Sequence, residues 1–203
     1  MTLIAPKQQN DRILAEAGTH LATCVGLIQI GTVETEYMGE KKWVDKIRLT
    51  FELPEELHEF KEGDGKKPLV VSQGYTHSMG SKSNLRPIVE GILGVALLDE
   101  EAYAFDIEQL LGKSCLLTLA HRESKAGSKY VFIQSASPLM KSMSKPVQIN
   151  ENKLLTYTNW KQEYFETLPN FIKDEMKGSK QYIAKFGITK DTFDDIKPEE
   201  IPF

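Results

Sequence analysis

His20-Leu-Ala-Thr-Cys-Val-Gly-Leu-Ile-Gln-Ile30 is the stretch whose reading decides the fold. Apolar and polar residues alternate along it, and the apolar parity shifts across Gly26. Alternation with period two is the signature of a strand with one buried face. A glycine inside such a run marks a bulge or a sharp bend. The expected element is a long, bent first strand, beginning near Gly18, that serves both halves of a curled sheet.

Working outward, residues 32–42 are polar, contain Gly39, and read as a loop or ribbon tip. Residues 43–53 alternate again: Trp43, Ile47, Leu49 and Phe51 share one face, while Val44, Lys46, Arg48, Thr50 and Glu52 share the other. Pro54 ends this second strand, and residues 55–67 form a charged connection. Residues 69–76 are a third strand. Residues 81–93 predict a helix capped by Ser81 or Ser83, with Pro87 tolerated near its first turn and Gly94 at its end. Asp99 or Asp106 caps one further short helix that stops at Gly112. Residues 114–121 and 130–134 are the fourth and fifth strands, joined by a hairpin turn around Gly127.

Three strands, a helix and two strands is the order of a five-stranded OB-type Greek-key barrel, a mainly β fold with some α. Residues 138–153 hold two prolines and little pattern, which gives a linker over 141–158. Two short helices are expected at 159–168 and 169–177, with Trp160, Tyr164, Phe165 and Phe171 as a packing stripe. The expected organisation is an N-terminal arm (1–17), the OB domain (18–140), the linker, a helical appendage (159–187) and a disordered acidic tail (188–203).

Composition sets bounds on function. The chain has 203 residues, 40% hydrophobic and 27% charged, which suits one domain with an appendage. No apolar run approaches the roughly 20 residues of a membrane helix, and the N-terminus lacks the pattern of a signal peptide, so the expectation is a cytoplasmic protein without membrane contact. Cys24 and Cys115 sit in apolar strands and read as buried reduced thiols. The four histidines show no metal-ligand spacing, so no metal and no cofactor is expected. There is no phosphate-binding Gly-x-x-x-x-Gly-Lys-Ser/Thr loop, and the carboxylate runs Glu55-Glu56 and Asp99-Glu100-Glu101 look like exposed helix starts, so no enzyme is expected.

The formal net charge of −4 is unevenly placed. Residues 191–203 hold five acids and one base, which leaves 24 acids and 24 bases in the other 190 residues. A neutral body must present any nucleic-acid site as a local basic patch. The tail ends on Ile201-Pro202-Phe203 behind Asp194, Asp195, Glu199 and Glu200. An apolar terminus behind acids is the form of a docking peptide: Phe203 fills a pocket, its carboxylate meets a base, and the acids steer toward basic partners.

Phe193-Asp-Asp-Ile196 followed by Glu199-Glu-Ile-Pro-Phe203 resembles the tip of bacterial single-stranded DNA-binding proteins, with Lys197-Pro198 inserted between the acidic pairs. The body resembles phage-encoded single-stranded DNA-binding proteins. The segments that carry this are Gly18-Thr-His20, Ile47-Arg-Leu-Thr-Phe-Glu-Leu53, Ser72-Gln-Gly-Tyr-Thr-His-Ser78, Lys82-Ser-Asn-Leu-Arg86, Leu110-Leu-Gly-Lys-Ser-Cys-Leu-Leu117 and Phe165-Glu-Thr-Leu-Pro-Asn-Phe-Ile172. The resemblance implies a replication or recombination protein that coats single-stranded DNA in a host cytoplasm and recruits partners through its tip.

Binding without sequence preference needs a basic groove for phosphates and aromatic faces for bases. In OB-folds the site lies on the strand 2–3 face between the loops joining strands 1–2 and 4–5. The cationic candidates there are Lys41, Lys42, Lys46, Arg48, Arg122, Lys125 and Lys129, with Lys82 and Arg86 at the helix start. The stacking candidates are Trp43, Tyr75, Tyr130 and Phe132, although Trp43 and Tyr75 also share the parity of core residues. An interaction adaptor whose barrel binds protein, and a strand-annealing recombination protein, are the competing expectations.

Overall fold

The computed structural model describes residues 13–37, 39–63, 65–124 and 127–187. Strand β1 (Gly18–Tyr37) is long and bent as its sequence predicts. Its first residues, 18–23, pair with β4 (Ser114–Glu123), and residues 23–37 pair with β2 (Glu40–His58). The pairing with β2 slips between Cys24 and Gly26 and again between Gln29 and Gly31. These two bulges let one strand face two partners. β2 continues to β3 (Lys67–Thr76), and β4 to β5 (Lys129–Ser137).

The result is an antiparallel sheet in the order β3-β2-β1-β4-β5, with a short strand β6 (Lys153–Leu155) added in parallel to β1. The sheet is open: among the described residues no backbone ladder joins the edge strands β3 and β5. The two edges are nevertheless bridged by one side chain. The Gln73 amide oxygen accepts from the Ile133 N–H at 2.7 Å, and its amide nitrogen donates to the Ile133 carbonyl at 3.4 Å.

Several elements differ from their sequence reading. Residues 32–42 are strand except around Gly39, so β1 and β2 form a long ribbon where a loop was expected. β2 also runs past Pro54 to His58, because a slip between Leu53 and Leu57 lets Leu57 and His58 pair with Pro68 and Lys67. Helix α1 (Leu85–Leu93) begins after Asn84, with Pro87 in its first turn, and closes at Gly94. Where one further helix was expected there are two short elements, α2 (Asp99–Ala104) and a 3-10 turn (Ile107–Leu110) capped by the Asp106 carboxylate.

The expected linker is an ordered part of the fold. It contributes β6, and the buried Glu52 carboxylate of β2 accepts from the N–H groups of Ile149 and Asn150 and from the Asn150 amide, at 2.7–2.8 Å. A three-residue strand in parallel pairing has no period to betray it. Among the described residues three C-terminal helices follow where two were expected: α3 (Gln162–Thr167), α4 (Asn170–Lys177) and α5 (Lys180–Phe186). The third is capped by the Ser179 hydroxyl, which accepts from the Tyr182 N–H.

The apolar side chains form two clusters. The first lies on the inner face of the sheet under α1 and includes Cys24, Leu49, Phe51, Leu53, Leu85, Val89, Leu117 and Ile133. The second lies on the opposite side of β1, where Ile28, Ile30 and Val33 meet Leu155, Phe165, Ile172, Met176 and Tyr182. The helical appendage is therefore packed on the sheet. Polar contacts fix its register. The Tyr157 hydroxyl donates to the Ile30 carbonyl at 2.9 Å, and the Gln181 amide oxygen accepts from the Thr32 N–H at 2.7 Å. Gly31 sits between them at φ +94°, and a Cβ there would come within 2.9 Å of the Ser179 hydroxyl.

Candidate functional site

Between β3 and β5 the sheet leaves a groove of about 1430 Å³. Consecutive residues of both edge strands line it, 69–76 on one side and 130–135 on the other. β2 supplies Lys46 and Arg48, the start of α1 supplies Lys82, Ser83 and Asn84 nearby, and α4 closes one wall with Phe171 and Glu175. Ile13 and Leu14, from the end of the N-terminal arm, line it as well. Ala15 is anchored beside them, since its carbonyl lies 2.8 Å from His121 Nε2.

The groove is cationic and aromatic although the body of the chain is neutral. Lys46, Arg48, Lys82 and Arg122 line it, and among the described residues Glu175 is its single carboxylate. Alternation on β2 produces half of this set. Ile47 and Leu49 turn into the core, so Lys46 and Arg48 turn to the groove. The Arg48 guanidinium donates to the Ser72 carbonyl and hydroxyl, both at 3.3 Å, and lies 5.3 Å from the Phe171 ring centre. Its Nε is buried and has no hydrogen-bond partner among the described residues. Burial lowers the pKa of Arg48, and the nearby Glu175 carboxylate raises it in partial compensation. Gly74, its cross-strand neighbour, places no side chain against it.

On the far side the Arg122 guanidinium lies 3.3 Å from the Phe132 ring centre, a stacked cation–π contact. Tyr130 is exposed next to it in the same lining. Such a surface offers fixed charge for phosphates and flat faces for bases, and it holds no described nucleophile–base pair. Among the described residues no three His, Cys, Asp or Glu side chains converge as a metal site.

The structure thus brings together Lys46, Arg48, Lys82, Arg122, Tyr130 and Phe132. It separates the other candidates. Lys41 pairs with Glu34 at 3.0 Å and Lys42 with Glu40 at 3.2 Å, on the ribbon and away from the groove. Trp43 shares core parity yet is 51% exposed, with Lys180 Nζ 4.2 Å from its ring centre. It pairs with Glu34, on the far side of the slip at Gln29/Gly31, where the ribbon has left the inner core behind. Lys129 is exposed at the β4–β5 hairpin and does not line the groove.

Two candidates are corrected, one by burial and one by its partners. Tyr75 borders the groove but is only 5% exposed, and its ring belongs to the inner core, so it has no free face for stacking. Burial raises its pKa well above the usual phenol value. Arg86 is an internal tie. It pairs with Glu90 at 2.9 Å and with Asp99, and donates to the Leu97 carbonyl, joining the start of α1 to α2. Hydrogen bonds from Asp99 and then Glu90 raise its pKa, and Arg86 in turn lowers that of Glu90. With its donors engaged, Arg86 is not free for phosphate.

Phe171 and Glu175 are the groove residues that sequence reasoning missed. Phe171 was grouped with the packing stripe, yet it is 55% exposed. The signal lay in α4 itself. Ile172 and Met176, four residues apart, form its buried face, which leaves Phe171 and Glu175, also four apart, on a neighbouring face. Lys125 and the tail residues Asp194, Asp195, Glu199, Glu200, Ile201, Pro202 and Phe203 lie outside the described residues. No described helix is long and apolar enough to cross a membrane.

Comparison with protein-family models and with curated proteins returned no match to this chain.

Proposed function

We propose that this protein binds single-stranded DNA without sequence preference, with the β2–β3–β5 groove as the seat of the strand. The observation that carries the reading is the lining itself: four cations and the aromatic faces of Tyr130, Phe132 and Phe171 against one carboxylate. Phosphate contacts supply affinity, and each stacked base adds roughly 1–3 kcal/mol. The strand order supports an OB-type barrel. α1 falls between β3 and β4, and Gln73 bridges the edges where a barrel would close.

On this reading the protein is not an enzyme. It coats and protects exposed strands during phage replication or recombination in a host cytoplasm. The acidic tail, with Ile201-Pro202-Phe203 as anchor, recruits replication or recombination proteins. Being acidic, it also competes with DNA for the groove.

Titration of the full chain with fluorescent oligo-dT at two salt concentrations tests this. Binding should weaken as salt rises, with a log–log slope on the order of −2 to −3 for three to four phosphate contacts. Undetectable or salt-insensitive binding overturns the proposal. Truncation before residue 191 should leave DNA affinity equal or higher, and a large loss would refute the competing tail.

A further inference from the structure

The face that α4 turns toward β2 carries two side chains, and each meets one groove cation. Phe171 lies over Arg48, with the guanidinium 5.3 Å from the ring centre. One helical turn later Glu175 Oε1 lies 2.7 Å from Lys46 Nζ. The spacings match: residues two apart on a strand face and four apart on a helix are both separated by about 6–7 Å. The two rungs differ in chemistry. An aromatic ring leaves the charge of Arg48 available to an incoming anion, whereas a carboxylate neutralises Lys46.

We propose that Glu175 is a built-in electrostatic brake on the groove, an acid that occupies Lys46 and must be displaced by a phosphate of the bound strand. The inference rests on the DNA-binding reading and adds a regulatory residue to it. Lys46 and Glu175 are 28% and 30% exposed, so a phosphate can reach the pair from the groove. Glu175 is not needed to hold α4 down. Ile172 and Met176 anchor the helix in the outer cluster, and a part-exposed ion pair adds only about 0–1 kcal/mol. Exchanging one anion for another yields less than filling an empty cation site, so the strand is released more readily than the lining alone would allow. That suits a coat that must be removed from DNA.

The test is Glu175→Gln in the full chain, titrated with oligo-dT across a salt series. Glutamine keeps the shape and an acceptor for Lys46 while removing the charge. The brake predicts affinity about two- to fivefold higher at low salt, which corresponds to removing a competing ion pair. It also predicts a steeper salt slope, because the field of the carboxylate no longer offsets that of the groove cations at low salt, where it is least screened. Equal or weaker binding with an unchanged slope overturns the brake and makes Glu175 a residue that merely positions Lys46.

If the glutamine variant melts early, Lys46→Gln carries the test. It removes a cation and leaves the Glu175 carboxylate facing the strand with Arg48 as its remaining cationic neighbour, so it should weaken binding more than Lys82→Gln does; an equal loss counts against the brake. Failure of the unaltered protein to bind oligo-dT overturns the DNA reading and the brake together. Binding by the unaltered protein with no gain in Glu175→Gln overturns the brake alone.

Discussion

Ala22, Cys24 and Leu27 of β1 pack inward with α1 and the inner face of the sheet, while Ile28, Ile30 and Val33 of the same strand pack outward under α3, α4 and α5. The inner cluster is mostly aliphatic and is assembled by strand alternation. The outer cluster is aromatic. Around Trp160 the rings of Tyr157, Phe165, Tyr182 and Phe186 all lie with centres 4.9–5.8 Å away. Polar contacts differ as well. At the Gln29/Gly31 bulge the Ile30 carbonyl and Thr32 N–H are met by the side chains of Tyr157 and Gln181. One strand thus supports a sheet core by its pattern and a helical wall by side-chain docking. On this arrangement the second is expected to loosen without dismantling the first.

The largest expected effect tests that asymmetry directly. Phe51→Ala and Phe165→Ala each remove a fully buried ring and should each cost about 3–5 kcal/mol locally. Their reach should differ. Cys24 and Cys115 sit in the inner cluster, and burial pushes both thiols up to about 12, so neither reacts with an alkylating agent at pH 8 while the sheet is intact. Phe51→Ala should speed their labelling sharply. Phe165→Ala should leave them protected while the amides of α3, α4 and α5 exchange faster. Equal thiol labelling in the two variants would make the molecule one cooperative unit and end the comparison.

A smaller effect is expected at two close approaches, one for each cluster. In α1 a Cβ at Gly91 would overlap the Ala136 carbonyl of β5. Gly91→Ala should therefore destabilise by about 1–3 kcal/mol, against the ~1 kcal/mol gain that alanine brings to an open helix. Gly31→Ala meets Ser179 and Gln181 and a positive φ, and should cost a similar amount while acting on the helical wall. Thermal melts give the totals, and amide exchange tells which cluster yields. A stabilised Gly91→Ala protein would show that α1 is free to shift.

The inner cluster was legible in the sequence, whereas of the outer one only the packing stripe of Trp160, Tyr164 and Phe165 was. Leu49, Phe51 and Leu53 alternate with polar residues, so their face could be read directly. Ile28 and Ile30 looked like ordinary strand residues because their cover arrives more than 120 residues later. The parity shift at Gly26 did announce the bulge, but not that both sides of β1 would be covered. In the groove, the alternation around Ile47 placed Lys46 and Arg48 correctly on the face away from the core. Tyr75 failed because either fate was compatible with its parity. Arg86 failed although Glu90 stands four residues on in the same helix, because its second acid, Asp99, lies 13 positions on and the Leu97 carbonyl 11. Phe171 and Glu175 could be read as lying beside the Ile172–Met176 face of α4, but the β2 cations they meet could not.

Phe171 is where the helical wall touches the proposed DNA path. Half-exposed, it contributes little packing beyond its contact with Arg48, so Phe171→Ala should cost about 0.5–1 kcal/mol of stability. In oligo-dT binding it should cost roughly 1–3 kcal/mol, the amount expected for loss of one stacked base. Phe132→Ala on the opposite side of the groove should cost as much. A Phe171 variant that loses stability and keeps its affinity would return this ring to the packing stripe.

Trp43 should show the smallest effect on DNA affinity, and its smallness is informative. Its ring is exposed beyond the second bulge, has Lys180 as its cation partner, and does not line the groove. Loss of that contact should cost about 0.5–1 kcal/mol of stability. Trp43→Ala should change oligo-dT affinity by less than about twofold, because base stacking requires contact with the strand. A larger loss would mean that DNA leaves the groove and runs along the β1–β2 ribbon. Lys41 and Lys42 would then become phosphate contacts, since their present partners, Glu34 and Glu40, form only exposed pairs that a phosphate can displace. The helical wall would in that case be a bridge between two stretches of the binding path, with Lys180 at the start of α5 as the hinge between ribbon and wall.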